Sequence, residues 1–278
     1  MYAAATAAVA LAFACVPATA SASAVELTRP HVTLRSTASL SSPGVVIASA
    51  RNRSGRPLRF PVRASLEGWL QVRYGSWIGW LPAGAARPTS LPADPLVSCS
   101  PSRSPGTWND GRLVGGVLFP REGESFFTWS FRRQRKPNPA RTRWGTCKLV
   151  RTVLRVSRAF HRAHPTAPRL AIGDLSLRNG GEIDGHASHE RGLDVDVYYP
   201  RRDGLEREPS RVAQIDHRLS QELVRRFVRA RALKVFVGPN TGLTGPRKIV
   251  QVLALHDDHL HVRLRPERPA HGPSAPGA

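Results

Sequence analysis

The stretch GHASHERGLDVDVYY, residues 185–199, decides how the chain is read. His186 and His189 stand three apart, and Asp194 and Asp196 then alternate with Val195 and Val197. On a strand, side chains two apart face the same way. With Leu193, Val195 and Val197 turned to a core, Asp194 and Asp196 share the opposite face. A second stretch, HDDHLHVRL at 256–264, repeats the pattern, with Leu260 and Val262 inward and His259 and His261 outward. Two strands that bury alternate residues and offer Asp or His on the other face make a floor for a metal ion.

Imidazole and carboxylate suit zinc, and a catalytic zinc takes three protein ligands and keeps one position for water. His189 from the loop, Asp196 and His261 supply that number. The ion would lower the pKa of its water from ~15.7 to about 7. His259 shares a face with His261 and is placed as general base or electrostatic stabiliser rather than as a ligand. Five of the chain's ten histidines (His186, His189, His256, His259 and His261) fall in these two segments, which sets them apart from scattered surface polar residues.

Working outward, CKLVRTVLRVSRAF (147–160) carries Leu149, Val153, Val156 and Phe160 at helical spacing and stops before Pro165. RLAIGDLSL (169–177), KVFVGP (234–239) and HLHVRLR (259–265) read as strands. Ser210 is expected to cap a helix carrying Val212, Ile215, Leu219, Leu223 and Phe227. A short helix with Pro246 in its first turn is expected over 244–253. The fold class is α+β, with a small antiparallel sheet carrying the metal site.

Residues 25–88 read as a small all-β unit. VTLRSTAS (32–39), GVVIASA (44–50), RPLRFPVRAS (56–65), GWLQVRYG (68–75) and WIGWLPA (77–83) are strand-like runs broken by Gly, Pro and Ser. Residues 89–111 read as a linker, 112–266 as the catalytic domain and 267–278 as a disordered tail.

The net charge is +21, almost all from arginine, with lysine only at Lys136, Lys148, Lys234 and Lys248. The arginines are scattered, without a basic run, so no specific nucleic-acid partner is expected; an anionic cell envelope suits the charge. Residues 1–24, MYAAATAAVALAFACVPATASASA, are apolar and then small, with A-x-A sites ending at Ala20, Ala22 and Ala24. They read as a secretory signal, although no Lys or Arg precedes Arg29. The apolar run is too short for a comfortable span, so an exported protein of the periplasm or cell wall is expected, not an integral membrane protein. Cleavage removes Cys15 and leaves Cys99 and Cys147, expected as one disulfide.

The H-x6-D spacing of His189 and Asp196, with the distant His259-x-His261, resembles zinc peptidases that act on peptidoglycan. IGDLSLRNGG (172–181), GHASHERGLDVDV (185–197), FVGP (236–239) and HDDHLHVRL (256–264), with RWG (143–145), are similar in order and spacing to the penicillin-insensitive murein endopeptidase family. That resemblance implies His189, Asp196 and His261 as zinc ligands, His259 as the first His of the H-x-H pair, and His186 and His256 as further active-site histidines. It also implies cleavage of the D-alanyl–meso-diaminopimelyl cross-link. A D,D- or L,D-carboxypeptidase of the same fold and a non-catalytic wall-binding protein are the alternatives. The chain departs from the family near Asp203–Ser210, where it is shorter. In that region it also lacks a D-x-x-H pair, Asp216 and His217 being adjacent. One zinc ion is therefore expected, with His186 the only candidate for holding a second. Residues 25–88 resemble a bacterial SH3-like barrel, through Val32, Leu34, Arg35 and Ser36 at its opening and Gly68, Trp69, Val72, Gly79 and Trp80 at its close. The resemblance implies a wall-targeting module that aids binding rather than chemistry.

Overall fold

The computed structural model describes residues 24–47, 51, 58–74, 77–89, 93–99, 101–165 and 167–267. The N-terminal part is one antiparallel sheet of β1 (Ala24–Leu27), β2 (Val32–Arg35), β3 (Gly44–Ile47), β4 (Arg59–Leu66), β5 (Trp69–Tyr74), β6 (Trp77–Pro82) and β7 (Ala86–Thr89). The strand order is β3-β2-β6-β5-β4-β1-β7. The five expected runs correspond to β2–β6. The other two, β1 and β7, extend the sheet beyond β4. Val25, Leu34, Ile47, Phe60, Val72 and Leu81 form its core. The expected export signal lies outside the described residues except for Ala24, and the expected tail except for Glu267.

The segment expected as a linker is strapped to the C-terminal part. Asp94 accepts hydrogen bonds from the Ser125 amide (3.1 Å) and hydroxyl (2.6 Å). Arg158 donates to the Pro95 carbonyl and Arg151 to that of Val97. Cys99 and Cys147 are joined by a disulfide, with Cα atoms 5.9 Å apart.

The C-terminal part holds a two-stranded pair, β8 (Val117–Leu118) with β10 (Trp144–Gly145), and a larger sheet. The larger sheet contains β9 (Phe126–Thr128), β11 (Leu170–Ile172), β12 (Asp194–Tyr198), β13 (Ala232–Val237), β14 (Val250–Val252) and β15 (His259–Leu264), in the order β14-β13-β15-β12-β11-β9. The expected small antiparallel sheet is therefore six-stranded and mixed. Its centre is antiparallel, while β9 runs parallel to β11 and β14 parallel to β13. Parallel neighbours need a long crossover, and helix α1 (Cys147–Ala163) lies in the connection from β9 to β11.

Thr146 caps α1 by accepting from the Leu149 amide, and the helix buries Leu149, Val153, Val156 and Phe160, as their spacing predicts. Helix α2 (His217–Arg229) starts later than expected. Its cap is Asp216, whose Oδ1 accepts from the Leu219 amide at 3.0 Å. Val212–Gln214 form a 3-10 turn and Ile215 is extended, so Ser210 caps nothing and its amide donates to the Gln214 side chain. The helix expected over 244–253 is one turn in which the Ile249 and Val250 amides both donate to the Pro246 carbonyl. Val250–Val252 then pair beside β13, where β-branched residues fit the sheet edge. Both helices pack on the apolar face of the sheet, around Val195, Val197, Leu260 and Val262. No helix among the described residues is long and apolar enough to cross a membrane.

Candidate active site

The strand register builds the site. β12 and β15 pair with Asp194 opposite Arg263, Asp196 opposite His261 and Tyr198 opposite His259. These residues lie on the face away from the helices. His189 reaches the same point from the loop between β11 and β12. It is fully buried and adopts a positive φ of 79°, a conformation uncommon for a non-glycine residue and frequent at functional sites. Gly173, after β11, lets the strand approach closely, since a Cβ there would meet the Tyr198 ring at 3.0 Å and the Asp196 Cβ at 3.1 Å.

Each of the two buried imidazoles is held by one nitrogen. His189 Nδ1–H donates to the Leu175 carbonyl at 2.5 Å, and His261 Nε2–H donates to Asp194 Oδ1 at 2.8 Å. Arg263 Nε also donates to that oxygen, at 2.6 Å. Such partners fix the tautomer of a metal-binding histidine. The other two nitrogens, His189 Nε2 and His261 Nδ1, face each other at 3.2 Å. Each lies 3.3 Å from Asp196 Oδ1, which is buried and has no hydrogen bond. Zinc bonds of ~2.0–2.1 Å to a tetrahedral set put ligand atoms about 3.3–3.4 Å apart. These three atoms fit that spacing. A wider trio of His186, His189 and Asp196 has donor atoms within 4.8 Å of one another. The set with His261 is the tighter one, because His186 faces the other carboxylate oxygen.

The remaining predicted residues surround this point. His186 Nε2 lies 3.2 Å from Asp196 Oδ2 and 3.7 Å from Asp174 Oδ2. His259 Nδ1 lies 2.7 Å from Asp258 Oδ1, and its Nε2 is 3.6 Å from Asp196 Oδ1. His256 donates to the Ala254 carbonyl and packs beside His259, with ring centroids 4.8 Å apart. All six are brought together. Burial raises the Asp196 carboxyl, but the His189 and His259 imidazoles outweigh this and hold it well below the usual carboxylate range. Burial lowers His259, and Asp196 and Asp258 overcome that to leave it raised. Burial lowers His256.

The site opens into a cavity of about 640 Å³. His186, Asp196 and His259 line it, together with Phe131, Arg132 and residues 209–212. Asp174, Asp184, Asp257 and Asp258 line it too, so the cavity is acidic within a basic chain. Tyr198 also lines it; burial and Asp196 push its hydroxyl pKa well above the usual value, so it remains a phenol donor. Neither Tyr198 nor the role of Asp194 is among the sequence expectations, although both continue the same period-two row as Asp196.

Residues 104–235 match the family described as penicillin-insensitive murein endopeptidase. The match ends before β15, so His256, His259 and His261 rest on the geometry. Relatives bearing that name include proteins from Haemophilus influenzae (27% identical over 106 residues, 37% of this chain and 34% of the relative) and Salmonella arizonae (30% over 99 residues, 35% and 32%). A third, from Klebsiella pneumoniae, is 29% identical over 115 residues, 41% of this chain and 38% of the relative. The chain thus spans about a third of the length of the first two. Residues 104–235 are thus similar to the penicillin-insensitive murein endopeptidase family, over somewhat less than half of the chain.

Proposed function

We propose that the chain is an exported, zinc-dependent murein endopeptidase that cleaves the D-alanyl–meso-diaminopimelyl cross-link of peptidoglycan. The observation that carries this reading is the trio of donor atoms on His189, Asp196 and His261, 3.2–3.3 Å apart around a buried oxygen with no hydrogen bond. A zinc ion held there supplies Lewis-acid polarisation of the scissile carbonyl and acidifies water. His189 and His261 each present a lone pair because the Leu175 carbonyl and Asp194 occupy their other nitrogens. His186 engages Asp196 Oδ2 and orients that carboxylate. His259, with Nδ1 fixed by Asp258, takes a proton at Nε2 from the attacking water and returns one to the leaving amine. His256 keeps the His259 ring in place. Tyr198 donates its O–H to the bound substrate. The acidic lining suits the amino group that a diaminopimelyl residue carries. The N-terminal sheet, residues 25–88, is an SH3-like module that targets the wall. Residues 89–111 join it to the peptidase domain at 112–266.

Digesting purified sacculi with and without a chelator, followed by mass spectrometry, tests this. Cross-linked dimers should fall to monomers only without chelator. Loss of terminal residues alone would make the chain a carboxypeptidase, and no change in either sample would refute the reading.

A further inference from the structure

Residues 209–212 line the cavity from the loop after β12, where Arg201 donates to the Glu208 carbonyl at 3.2 Å and to Gln214 Oε1 at 2.8 Å, an oxygen that also accepts from the Ser210 amide at 2.8 Å. Beyond that tie at its end, the loop is held at Glu206, a carboxylate only 5% exposed. Its Oε1 accepts from Arg169 Nε at 2.9 Å and lies 2.7 Å from Arg73 Nη1. Its Oε2 accepts from Arg169 Nη2 at 2.9 Å and from Lys136 Nζ. Three cations from three separate segments thus meet on one buried carboxylate. Lys136 follows Phe131 and Arg132, which also line the cavity. Two residues on, the Asn138 amide group donates to the Gly173 carbonyl (2.9 Å) and to Asp174 Oδ1 (2.8 Å) at the cavity edge. Arg73 comes from β5 of the N-terminal sheet and is itself buried. From the neighbouring β4, Arg63 donates to the Gly204 carbonyl at 3.0 Å, across 141 positions of sequence. Gly204 has a φ of +68°, which favours glycine, and the Arg63 guanidinium lies directly against it.

We infer that the N-terminal sheet is a working part of the cavity: Arg73 and Arg63 brace the 203–212 loop, through Glu206 and the Gly204 carbonyl, in the position that shapes the substrate wall. The inference rests on reading the cavity as the substrate site. Arg73 is a positioning residue, since it touches no donor atom of the metal trio. A buried carboxylate shared by several cations is strongly tied to each, and removing one partner leaves the rest unbalanced. The wall of the cavity therefore depends on a residue from a module that otherwise only binds.

The test uses the full-length, metal-loaded protein and three variants, Arg73→Met, Arg73→Lys and Arg63→Met. Amide hydrogen exchange reports the loop, and kinetics on a soluble cross-linked muropeptide reports the wall. In Arg73→Met, exchange across 203–212 should quicken about tenfold. KM should rise about tenfold with kcat within about twofold, because the wall binds substrate and the metal trio does the chemistry. Metal content should stay at the wild-type value. Arg73→Lys, which keeps the cation, should recover both readouts. Wild-type exchange and wild-type KM in Arg73→Met would overturn the inference. If Arg73→Met does not fold, Arg63→Met decides by the same two readouts. If the wild-type chain cleaves no muropeptide, the proposed function fails, and loop exchange alone still decides the brace.

Discussion

Asp196 and Glu206 are both buried carboxylates, each 5% exposed and each surrounded by nitrogen groups, yet their oxygens are treated differently. Both oxygens of Glu206 are taken by guanidinium or ammonium groups of the chain itself. Asp196 Oδ1 has three imidazole nitrogens at 3.3–3.6 Å and a hydrogen bond to none of them. Leaving a buried acceptor unpaired costs about 1–3 kcal/mol. The Glu206 cluster is complete within the chain and holds parts together. On the proposed function the Asp196 cluster would be completed by a cation, and two of its imidazoles are turned, by partners behind them, so that their free nitrogens face Asp196.

The largest effect that sharpens this contrast is on turnover. His259→Ala should lower kcat by about 10²–10⁴-fold, the range for a positioned general base. Steady-state kinetics on cross-linked muropeptides measures it, and full activity in the variant would remove His259 from the chemistry. Next comes Glu206→Gln. It leaves Arg73, Lys136 and Arg169 short of a partner and should destabilise the fold by about 3–5 kcal/mol, as breaking buried ion pairs does. Urea denaturation checks it. Asp196→Asn, in the metal-free protein at pH 8, should by contrast change stability by less than about 1 kcal/mol, because Oδ1 has no bond to lose and the amide oxygen of Asn can keep the His186 contact made at Oδ2. Equal losses in the two variants would break the comparison.

Smaller again is Asp194→Asn. It weakens the group that turns His261 Nδ1 forward, so zinc affinity should fall about 10–100-fold, measured by competition with a chelator. The mildest effect is a pH dependence. Burial raises the Glu206 carboxyl, but Lys136, Arg169 and Arg73 outweigh it and hold it well below its usual value of 4.5. A carboxyl depressed in the folded state contributes stability above its unfolded pKa and loses it as pH falls through the folded pKa. The gap in urea midpoint between wild type and Glu206→Gln should therefore be widest above about pH 4.5 and close on acidification. A gap that stays constant from neutral pH to pH 3 would show that Glu206 is not held ionised.

What can be read from sequence follows what is local. Strand alternation in 192–199 and 259–264 fixes which side chains share a face, so the grouping of Asp196, His259 and His261 is legible in the residues alone. The same row contains Tyr198 and Asp194, and their roles are open to the same reasoning. Edge strands of three residues, Phe126–Thr128 and Val250–Val252, are too short to display a period. Pro246 opens a turn, but Ile249, Val250 and Val252 then prefer the sheet edge to a helix. Ser210 and Asp216 are both able to cap, and Asp216 does so because Ile215 is extended just before it. The meeting of Arg73 with Glu206 joins two modules and leaves no local trace in either segment.

The central claim is that His189, Asp196 and His261 hold the metal while His259 works beside it. Zinc content of purified wild type, His261→Ala and His259→Ala, by atomic absorption, tests it most directly. About one equivalent is expected in wild type and in His259→Ala, and none in His261→Ala. A metal-free His259→Ala, or a His261→Ala that keeps its full equivalent, would contradict the account.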